Sequence, residues 1–247
     1  MPTTAGTGSE ITPNASFIDS NEKKKMGING ELIRPAYAIL DPELTLSCPL
    51  KPTISAAVDS LVHSSEAFAA KKTNPMVKFF AIEGFNIVFD NLYDLTNDLE
   101  NIELRGKIMY GAFLSGIALM NSGTGPAAAM SYPLGVHYGV PHGIGGGIFL
   151  PHVIEYNISN GFFEYAHLMN SAHKNKKESS FNLVESMFKL WHDIDVPQDL
   201  TKFGLTNDKI EFFIKDTMDL KPALDQNPIS FYENEIELIL NKLMTNK

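Results

Sequence analysis

Three consecutive stretches of the chain carry apolar residues at spacings of three and four, over residues 53–71, about 76–95 and 102–121. This period places the apolar side chains on one face of a helix, so each stretch predicts a long amphipathic helix. Pro52 stands just before the first stretch, where a first-turn proline is tolerated. The polar run DLTND separates the second stretch from the third. The chain is therefore expected to fold around a helical core.

Residues 121–157 form an unusually small, apolar and glycine-rich segment. Glycine and alanine allow helices to approach closely and leave room for a ligand, but glycine weakens each helix through backbone entropy. This segment therefore needs neighbours packed around it. Residues 160–247 return to amphipathic helical patterns, in the runs FEYAHLMNSAH, FNLVESMFKLWHDI, NDKIEFFIKDTM and YENEIELILNKLM.

The first fifty residues differ from the rest of the chain. Short apolar runs are cut there by Gly, Pro and Asn, which is typical of strands or extended segments. The runs concerned are ASFID, MGING and AYAILD. We expect a mainly helical protein that is entered from a short, largely extended N-terminal segment.

Charge and composition exclude several classes of function. Lys and Arg total 20 against 29 Asp and Glu, a net charge of −9 without a basic stripe, so a nucleic-acid partner is not expected. No apolar run approaches the roughly 20 residues that span a bilayer, so no membrane role is expected either. The single cysteine, Cys48, cannot form an intrachain disulfide, and the first residues lack the pattern of a signal peptide. A cytoplasmic location is expected.

Asp59 and His63, in the run DSLVH, lie four positions apart in a predicted helix. Their side chains should share one face, one turn apart, as half of a metal site requires. A surface pair or a hydrogen bond along the helix face would give the same spacing. The small residues around the pair, in AAVDSLVHSSEAF, favour a position facing the interior.

His142 is the second candidate ligand, since it follows Pro141 and precedes the run GIGGG. The restricted backbone of Pro141 limits its position on one side, and the glycines that follow leave space around its imidazole on the other. His137 and His152 flank it, and either could instead form hydrogen bonds in a crowded interior or at the surface. The other histidines, among charged neighbours in amphipathic segments, are expected at the surface or its boundary: His167, His173 and His192.

The opening run PTTAGTGSE, residues 2–10, is dense in glycine and hydroxyl side chains. Backbone N–H groups and Thr or Ser oxygens suit polar contacts with a phosphate or ribose. The run is not a G-x-G-x-x-G fingerprint and has no lysine in a phosphate-loop position. It is either a simple turn or a segment that contacts a ligand.

Three long motifs then occur in a fixed order: PTTAGTGSEIT, AILDPELTLSCPLKPTISAAVDSLVHSSEAF and PLGVHYGVPHGIGGGIFLPHVIEYN. Together they resemble the iron-containing alcohol dehydrogenase family, of the dehydroquinate-synthase-like fold. The resemblance extends to DQNPISFYENEIELILNKL near the end of the chain. It implies an N-terminal α/β domain that binds NAD(P), a C-terminal helical domain that binds a divalent metal, and hydride transfer between an alcohol and an aldehyde or ketone in the cleft between them.

The resemblance also assigns residues. In the family one Asp and three His hold the metal, and three of these positions match Asp59, His63 and His142. The opening motif resembles the segment that lies against the nicotinamide and its ribose. The cofactor-side candidates that follow are Thr3, Thr4, Thr7, Gly8, Lys25 and Leu44.

Two positions depart from the family's pattern. The remaining metal His lies fourteen residues before His142, and this chain has Ala128 there. Four residues later, near the substrate, the family usually has a second His and this chain has Tyr132, which can donate a hydrogen bond. Tyr132 and His137 are thus the catalytic candidates, and His137 is also a substitute ligand. We expect Fe²⁺ or Zn²⁺ to be held by three protein ligands, bound weakly, or absent.

The family's glycine-rich pyrophosphate loop belongs upstream of PTTAG, where this chain has only Met1. We expect residues 1–50 to be a remnant of the dinucleotide-binding domain and residues 51–247 to be the helical metal and substrate domain. The sequence is then a shortened form, or another chain supplies the missing domain. Unpaired sheet edges would also favour a homo-oligomer.

Three functional hypotheses remain open at this point. The first is an NAD(P)- and metal-dependent alcohol dehydrogenase that acts on a small alcohol or aldehyde. The second is a metal-independent reductase of the same family, with Tyr132, His137 and His142 as donors. The third is a non-catalytic fragment or pseudoenzyme.

Overall fold

The computed structural model describes residues 1–19, 21, 24–169 and 175–244. Its N-terminal part contains an antiparallel hairpin of β1 (Asn14–Asp19) and β2 (Lys24–Asn29), in which Phe17 lies opposite Met26. The runs ASFID and MGING thus form strands, as predicted. Residues 36–41, the run AYAILD, form no strand, since the described residues offer them no strand partner.

Helices make up most of the described residues, which confirms the prediction of a mainly helical fold. Two short 3-10 turns, Glu31–Ile33 and Pro42–Thr45, follow the hairpin. The α-helices are α1 (Leu50–Ala69), α2 (Pro75–Asn97), α3 (Ile102–Met120), α4 (Pro126–Tyr138), α5 (His142–Ser159), α6 (Lys176–Asp193), α7 (Ile210–Met218), α8 (Lys221–Leu224) and α9 (Glu233–Met244). Within the described part of the chain, no helix combines the length and the apolar character that crossing a bilayer requires.

The three long helices predicted from periodicity are α1, α2 and α3. The side chain of Asn74 accepts hydrogen bonds from the backbone nitrogens of Met76 and Val77 and thereby starts α2, with Pro75 in its first turn. Asn101 caps α3 in the same way, through the nitrogen of Leu104. Local sequence chemistry therefore fixes where these two helices begin.

Helix α1 is the centre of the core and contacts α2, α3 and α5. The glycine-rich start of α5 lies directly against it. A Cβ atom added to Gly143 would lie 1.9 Å from the carbonyl oxygen of Ser55, and one added to Gly147 would lie 2.3 Å from Cγ1 of Val58. Glycine at these two positions therefore lets the backbones of α1 and α5 approach closely. This close approach was predicted from the glycine and alanine content of residues 121–157.

The later helices cover the outer side of α5. The indole of Trp191 on α6 is fully buried and donates to the carbonyl oxygen of Gly147 at 2.7 Å. The run FEYAHLMNSAH was predicted to be helical, but its described part contains only the 3-10 turn Glu164–His167. In that turn Tyr165 enters the core, where its hydroxyl accepts a hydrogen bond from Nδ2 of Asn157 at 3.0 Å. In the described residues of the run, this inward turn takes the place of a regular helix.

Candidate active site

Asp59 and His63 occupy adjacent turns of α1 and are almost completely buried. Oδ1 of Asp59 lies 3.6 Å from Nε2 of His63. This separation is longer than a hydrogen bond, so the pair faces a common point without closing a direct N–H···O contact. The expectation that the pair faces the interior is met by its burial.

His142 is the first residue of α5, and Pro141 immediately precedes that helix. Its Nε2 atom lies 3.8 Å from the same Oδ1 atom of Asp59. Its Nδ1 atom lies 2.7 Å from Oγ of Ser131 on α4. Ser131 on α4 thus contacts one side of the imidazole at hydrogen-bond distance, and the other side of the ring faces Asp59 on α1. The fold brings the three residues predicted as metal ligands together around one carboxylate oxygen.

These donors match a divalent cation in type but not in number. One carboxylate and two imidazoles suit Fe²⁺ or Zn²⁺, and two ligands at about 2.1 Å from a cation can lie up to about 4.2 Å apart. Ala128, at the fourth family position, is buried and offers only a methyl group. Nδ1 of His63 is buried and has no hydrogen-bond partner among the described residues. In the same part of the chain, no group of three or more His, Cys, Asp and Glu side chains is arranged to hold a metal ion.

Tyr132 lies on α4 beside this cluster. Its ring stands edge-on to the imidazole of His142, with 5.4 Å between the ring centroids. Burial raises the pKa of its hydroxyl above the usual 10, a hydrogen bond with Ser16 of β1 opposes that shift, and the charge of Asp59 adds to it. The phenol therefore stays protonated at neutral pH and remains a hydrogen-bond donor.

An open cavity of about 320 Å³ adjoins Tyr132 and His142. Small and apolar residues make up much of its lining, including Gly135 in α4 and Gly139 and Val140 in the α4–α5 connection. Two side chains with donor groups therefore face a space that is large enough for a small organic molecule. The sequence predicted only that the glycines and alanines of residues 121–157 leave room for a ligand, and it did not predict the position or size of this cavity.

His137 is directed towards α7. Its Nε2 atom lies 3.0 Å from Oδ2 of Asp216, and its ring stands edge-on to that of Phe212 at 4.9 Å. These contacts tie the last turn of α4 to α7. The described contacts of His137 are thus with α7, whereas Tyr132 contacts the His142 ring.

The opening motif lies against α1 and α3. A Cβ atom on Gly6 would lie 2.0 Å from the carbonyl oxygen of Ala56, and Gly8 has a φ of +65° with its Cβ position 2.9 Å from Cα of Gly116. Oγ1 of Thr7 accepts a hydrogen bond from the backbone nitrogen of Ser9 at 3.3 Å. Thr3, Thr4 and Thr7 are exposed, so their hydroxyls are accessible to a ligand.

The two remaining cofactor-side candidates lie further along the N-terminal segment. Lys25 belongs to β2, where its backbone pairs with Ile18, but its side chain lies outside what the structure describes. Leu44 lies in the 3-10 turn Pro42–Thr45 and is 37% exposed. The side chain of Asp41 caps that turn by accepting from the nitrogen of Glu43 at 3.0 Å.

Glu66 was missed by sequence reasoning. Its carboxylate is buried one turn beyond His63 and accepts from the backbone nitrogens of Gly125, Ala127 and Ala128 at 2.7, 2.7 and 3.2 Å. Burial raises its pKa to about 7, although these three hydrogen bonds lower it. An acidic residue three positions after His63 among small residues was the available signal. Glu66 anchors the first turn of α4.

Ser131 and Arg105 were also missed. Ser131 carries no spacing signal relative to His142, because α4 and α5 bring them together only in the folded chain. Arg105 is buried, and its guanidinium donates to the hydroxyl of Thr53 and to the carbonyl oxygens of Leu99 and Cys48 at 2.9 to 3.1 Å. It holds the loop before α1.

The remaining described histidines each lie beside an acidic residue outside the cluster of the three predicted metal ligands. His152 is buried on α5, with Nδ1 3.9 Å from Oε2 of Glu155, and burial lowers its pKa. His167 and His192 have exposed side chains, as expected. His173 lies outside the described residues.

Comparison with known proteins identifies the family of this chain. The pattern of the "Fe-containing alcohol dehydrogenase family, C-terminal" matches residues 53–244, and that of "Iron-containing alcohol dehydrogenase" matches residues 1–42. The chain belongs to the iron-containing alcohol dehydrogenase family. Two similar proteins illustrate this membership. The long-chain-alcohol dehydrogenase 1 of Geobacillus thermodenitrificans is 29% identical over 97% of this chain, and the NAD-dependent methanol dehydrogenase of Bacillus methanolicus is 31% identical over 98%.

Solved structures show the same fold. A 1,3-propanediol oxidoreductase superposes with a TM-score of 0.91 at 28% identity, and covers 98% of this chain and 64% of its own. A sulfoacetaldehyde reductase from Bifidobacterium kashiwanohense in complex with NAD⁺ superposes with a TM-score of 0.90 at 26% identity, with 100% and 64% covered. The present chain spans 61% and 65% of the length of the two curated relatives above.

Proposed function

We propose that this chain forms the helical, metal-side part of an NAD(P)-dependent alcohol oxidoreductase, which interconverts a small alcohol and an aldehyde or ketone by hydride transfer. The single observation that carries the proposal is the convergence of His63 and His142 on Oδ1 of Asp59, at 3.6 and 3.8 Å. Family membership and the names of the relatives support it, since one is an NAD-dependent methanol dehydrogenase.

Asp59, His63 and His142 are the residues that would hold a divalent cation, Fe²⁺ or Zn²⁺. Such a cation, when bound, polarises the substrate oxygen and favours the alkoxide that releases hydride to a nicotinamide. Because Ala128 supplies no fourth ligand, we propose that binding is weak. The buried carboxylate between two imidazoles supplies the negative charge that attracts a cation to this point.

The chain's own residues would orient the substrate. The phenol of Tyr132 remains protonated near neutral pH, because burial raises its pKa, and can donate a hydrogen bond to the substrate oxygen. The cavity beside Tyr132 and His142 limits the substrate to a small or medium molecule. We propose His137 as a second donor only if its contact with Asp216 opens.

We propose that the opening motif, residues 2–10, forms the first part of the dinucleotide-binding surface. The exposed hydroxyls of Thr3, Thr4 and Thr7, with the backbone at Gly8, would contact the nicotinamide and its ribose. Leu44 and Lys25 would contribute further along the same side. We further propose that residues 1–50 belong to the cofactor domain and residues 51–247 to the helical domain, with the rest of the cofactor domain supplied by additional sequence or by another chain. A homo-oligomer and a reducing cytoplasmic location are part of this proposal.

A second candidate, a metal-independent reductase of the same family, is favoured by Ala128 and by the open arrangement of the three donors. In that case Tyr132, His137 and His142 would orient the substrate beside the nicotinamide. Activity that persists in EDTA would favour this candidate, and activity that EDTA abolishes and Fe²⁺ or Zn²⁺ restores would favour the first.

The proposal is tested by binding as well as by activity. The chain is purified without chelator, and bound iron and zinc are measured before and after addition of Fe²⁺. We expect partial occupancy that rises with added Fe²⁺ and falls in Asp59→Asn, whereas the exposed-site control His192→Ala behaves as the parent. Occupancy near zero that added Fe²⁺ leaves unchanged would contradict the metal-dependent form.

Cofactor binding is measured separately, by titrating the same chain with NADH and NADPH and following nicotinamide fluorescence. A decrease in affinity in Thr4→Val would support the cofactor-side assignment. Absence of both dinucleotide binding and turnover of short-chain aldehydes would favour a non-catalytic chain.

A further inference from the structure

The hydroxyl of Ser131 connects two parts of the candidate site. Its Oγ atom lies 2.6 Å from the carbonyl oxygen of Ala128, three residues earlier in α4, and 2.7 Å from Nδ1 of His142. Ser131 is fully buried, so its contact with Ala128 is shielded from solvent, whereas the contact with His142 is partly buried because the His142 side chain is 33% exposed. The two distances are those of well-formed hydrogen bonds.

The directions of these two hydrogen bonds follow from proton counting. A serine hydroxyl has a single hydrogen, and a carbonyl oxygen can only accept. The hydrogen of Ser131 therefore goes to the carbonyl of Ala128, and its oxygen is left to accept from Nδ1 of His142. Nδ1 must then carry a proton.

A neutral imidazole carries one proton, so protonation at Nδ1 leaves a lone pair on Nε2. This Nε2 atom lies 3.8 Å from Oδ1 of Asp59, and Nε2 of His63 approaches the same oxygen. The lone pair of Nε2 then lies on the side of the ring that faces the Asp59 carboxylate, where it can bind a cation or accept from a hydroxyl donor.

We propose that Ser131 is a positioning residue that holds His142 in the Nδ1-protonated tautomer and so aims the Nε2 lone pair at the point shared with Asp59. The carbonyl of Ala128 completes the chain of hydrogen bonds. Residue 128 thus serves the site through its backbone, although its side chain has no donor. The consequence for cation binding rests on the proposed function above, whereas the tautomer itself does not.

The tautomer is read directly by long-range ¹H–¹⁵N correlation spectra of protein labelled with ¹⁵N-histidine, with His142→Gln used to assign the signals. We expect a protonated Nδ1 and an unprotonated Nε2 in the parent. In Ser131→Ala the acceptor for Nδ1–H is removed, so we expect the spectrum to shift towards a mixture of tautomers. A parent spectrum with the proton on Nε2 would overturn the proposal.

The matched control is Ser60→Ala. Ser60 is also buried in a helix and donates to the carbonyl three residues earlier, that of Ala57, at 2.7 Å. It should leave the His142 signals unchanged. Alanine is compatible with both helical positions, and circular dichroism spectra check that both variants are folded.

Cation affinity is the second readout, measured by titration of the metal-free protein with Zn²⁺. Loss of an orienting partner typically weakens a metal site about 10- to 100-fold, and we expect a decrease in that range in Ser131→Ala and none in Ser60→Ala. The predicted tautomer together with no Zn²⁺ binding in the parent would support the positioning role and contradict the metal-dependent function. An unchanged tautomer in Ser131→Ala would overturn the positioning role even if Zn²⁺ binds.

Discussion

Oε2 of Glu66 lies 2.7 Å from the backbone nitrogen of Gly125, so a carboxylate on α1 anchors the start of α4. Oε1 of the same side chain accepts from Ala127 and Ala128. The N–H groups of a first helical turn have no partner within their own helix, so Glu66 satisfies donors that would otherwise be buried without one. The same contact fixes the start of α4, the helix on which Ser131 and Tyr132 lie.

We predict that Glu66→Gln destabilises the protein. Glu66 is protonated in the folded protein at pH 5, but both oxygens of a protonated carboxyl still have acceptor lone pairs. The amide of glutamine has only one acceptor oxygen, and its NH₂ group would face a backbone N–H, which leaves a buried donor unsatisfied. The expected loss is about 1–3 kcal/mol of unfolding free energy, measured by urea denaturation at pH 5. The control is Glu83→Gln on the exposed side of α2, which should change stability by less than about 0.5 kcal/mol. Equal stability of the Glu66 variant and the parent would contradict the anchoring role.

The same residue predicts a pH dependence. Burial raises the pKa of Glu66 from 4.5 to about 7, so the folded protein binds a proton more tightly than the unfolded chain. The resulting stabilisation is fully present below pH 4.5 and is lost as the pH rises through about 7, with a magnitude on the order of 3 kcal/mol. The stability difference between the parent and Glu66→Gln should therefore shrink between pH 5 and pH 8. Parallel pH profiles for the two proteins would refute this.

Gly143→Ala should be severely destabilising, because the new Cβ atom would lie 1.9 Å from the carbonyl oxygen of Ser55 and 2.9 Å from Cβ of Asp59. Only a shift of α5 away from α1 relieves this contact. We expect a loss of about 3 kcal/mol or more in urea denaturation. Gly106→Ala on α3 is the control, since its Cβ would meet only the ring of Pro42, at 3.8 Å. It should be neutral or gain up to about 1 kcal/mol from helix propensity.

Ala128→His restores the side chain that the family places at the fourth ligand position. We expect Zn²⁺ affinity to rise by about 10-fold or more, because even outer-shell partners of a metal site are worth that much. Ala128→Leu adds comparable bulk without a donor and serves as the control. Affinity that rises equally in both variants, or in neither, would show that residue 128 does not face the cation.

The sequence predicted the regular parts of the fold because local chemistry determines them. Periodicity located α2 and α3, and the Asn74–Pro75 pair marks the start of α2. Helix α1 was also predicted, but its burial on nearly all sides was not, since it follows from packing against three other helices. In the described part of the run, residues 163–169, the helix prediction was wrong, because the chain forms only a 3-10 turn there, in which Tyr165 is buried. Residues 170–173 lie outside the described residues.

The candidate site was predicted only where local sequence spacing or the family resemblance relates its residues. Asp59 and His63 share a helix, so spacing alone relates them, and the family resemblance added His142. Ser131 lies eleven residues from His142 and is related to it only through the packing of α4 on α5, which no local pattern encodes. Glu66 could have been found from its apolar surroundings, but its three backbone partners could not.

The opening motif is wedged between α1 and α3, with Gly6 against Ala56 and Gly8 against Gly116. Ala56 and Asp59 are three residues apart on one helix, an axial rise of about 4.5 Å. Helix α1 thus carries both Ala56, which contacts the N-terminal segment, and Asp59, whose carboxylate lies between His63 and His142. Any tilt of α1 would move both together, so the proposed nicotinamide position and the proposed cation position would keep their spacing when neighbouring segments move.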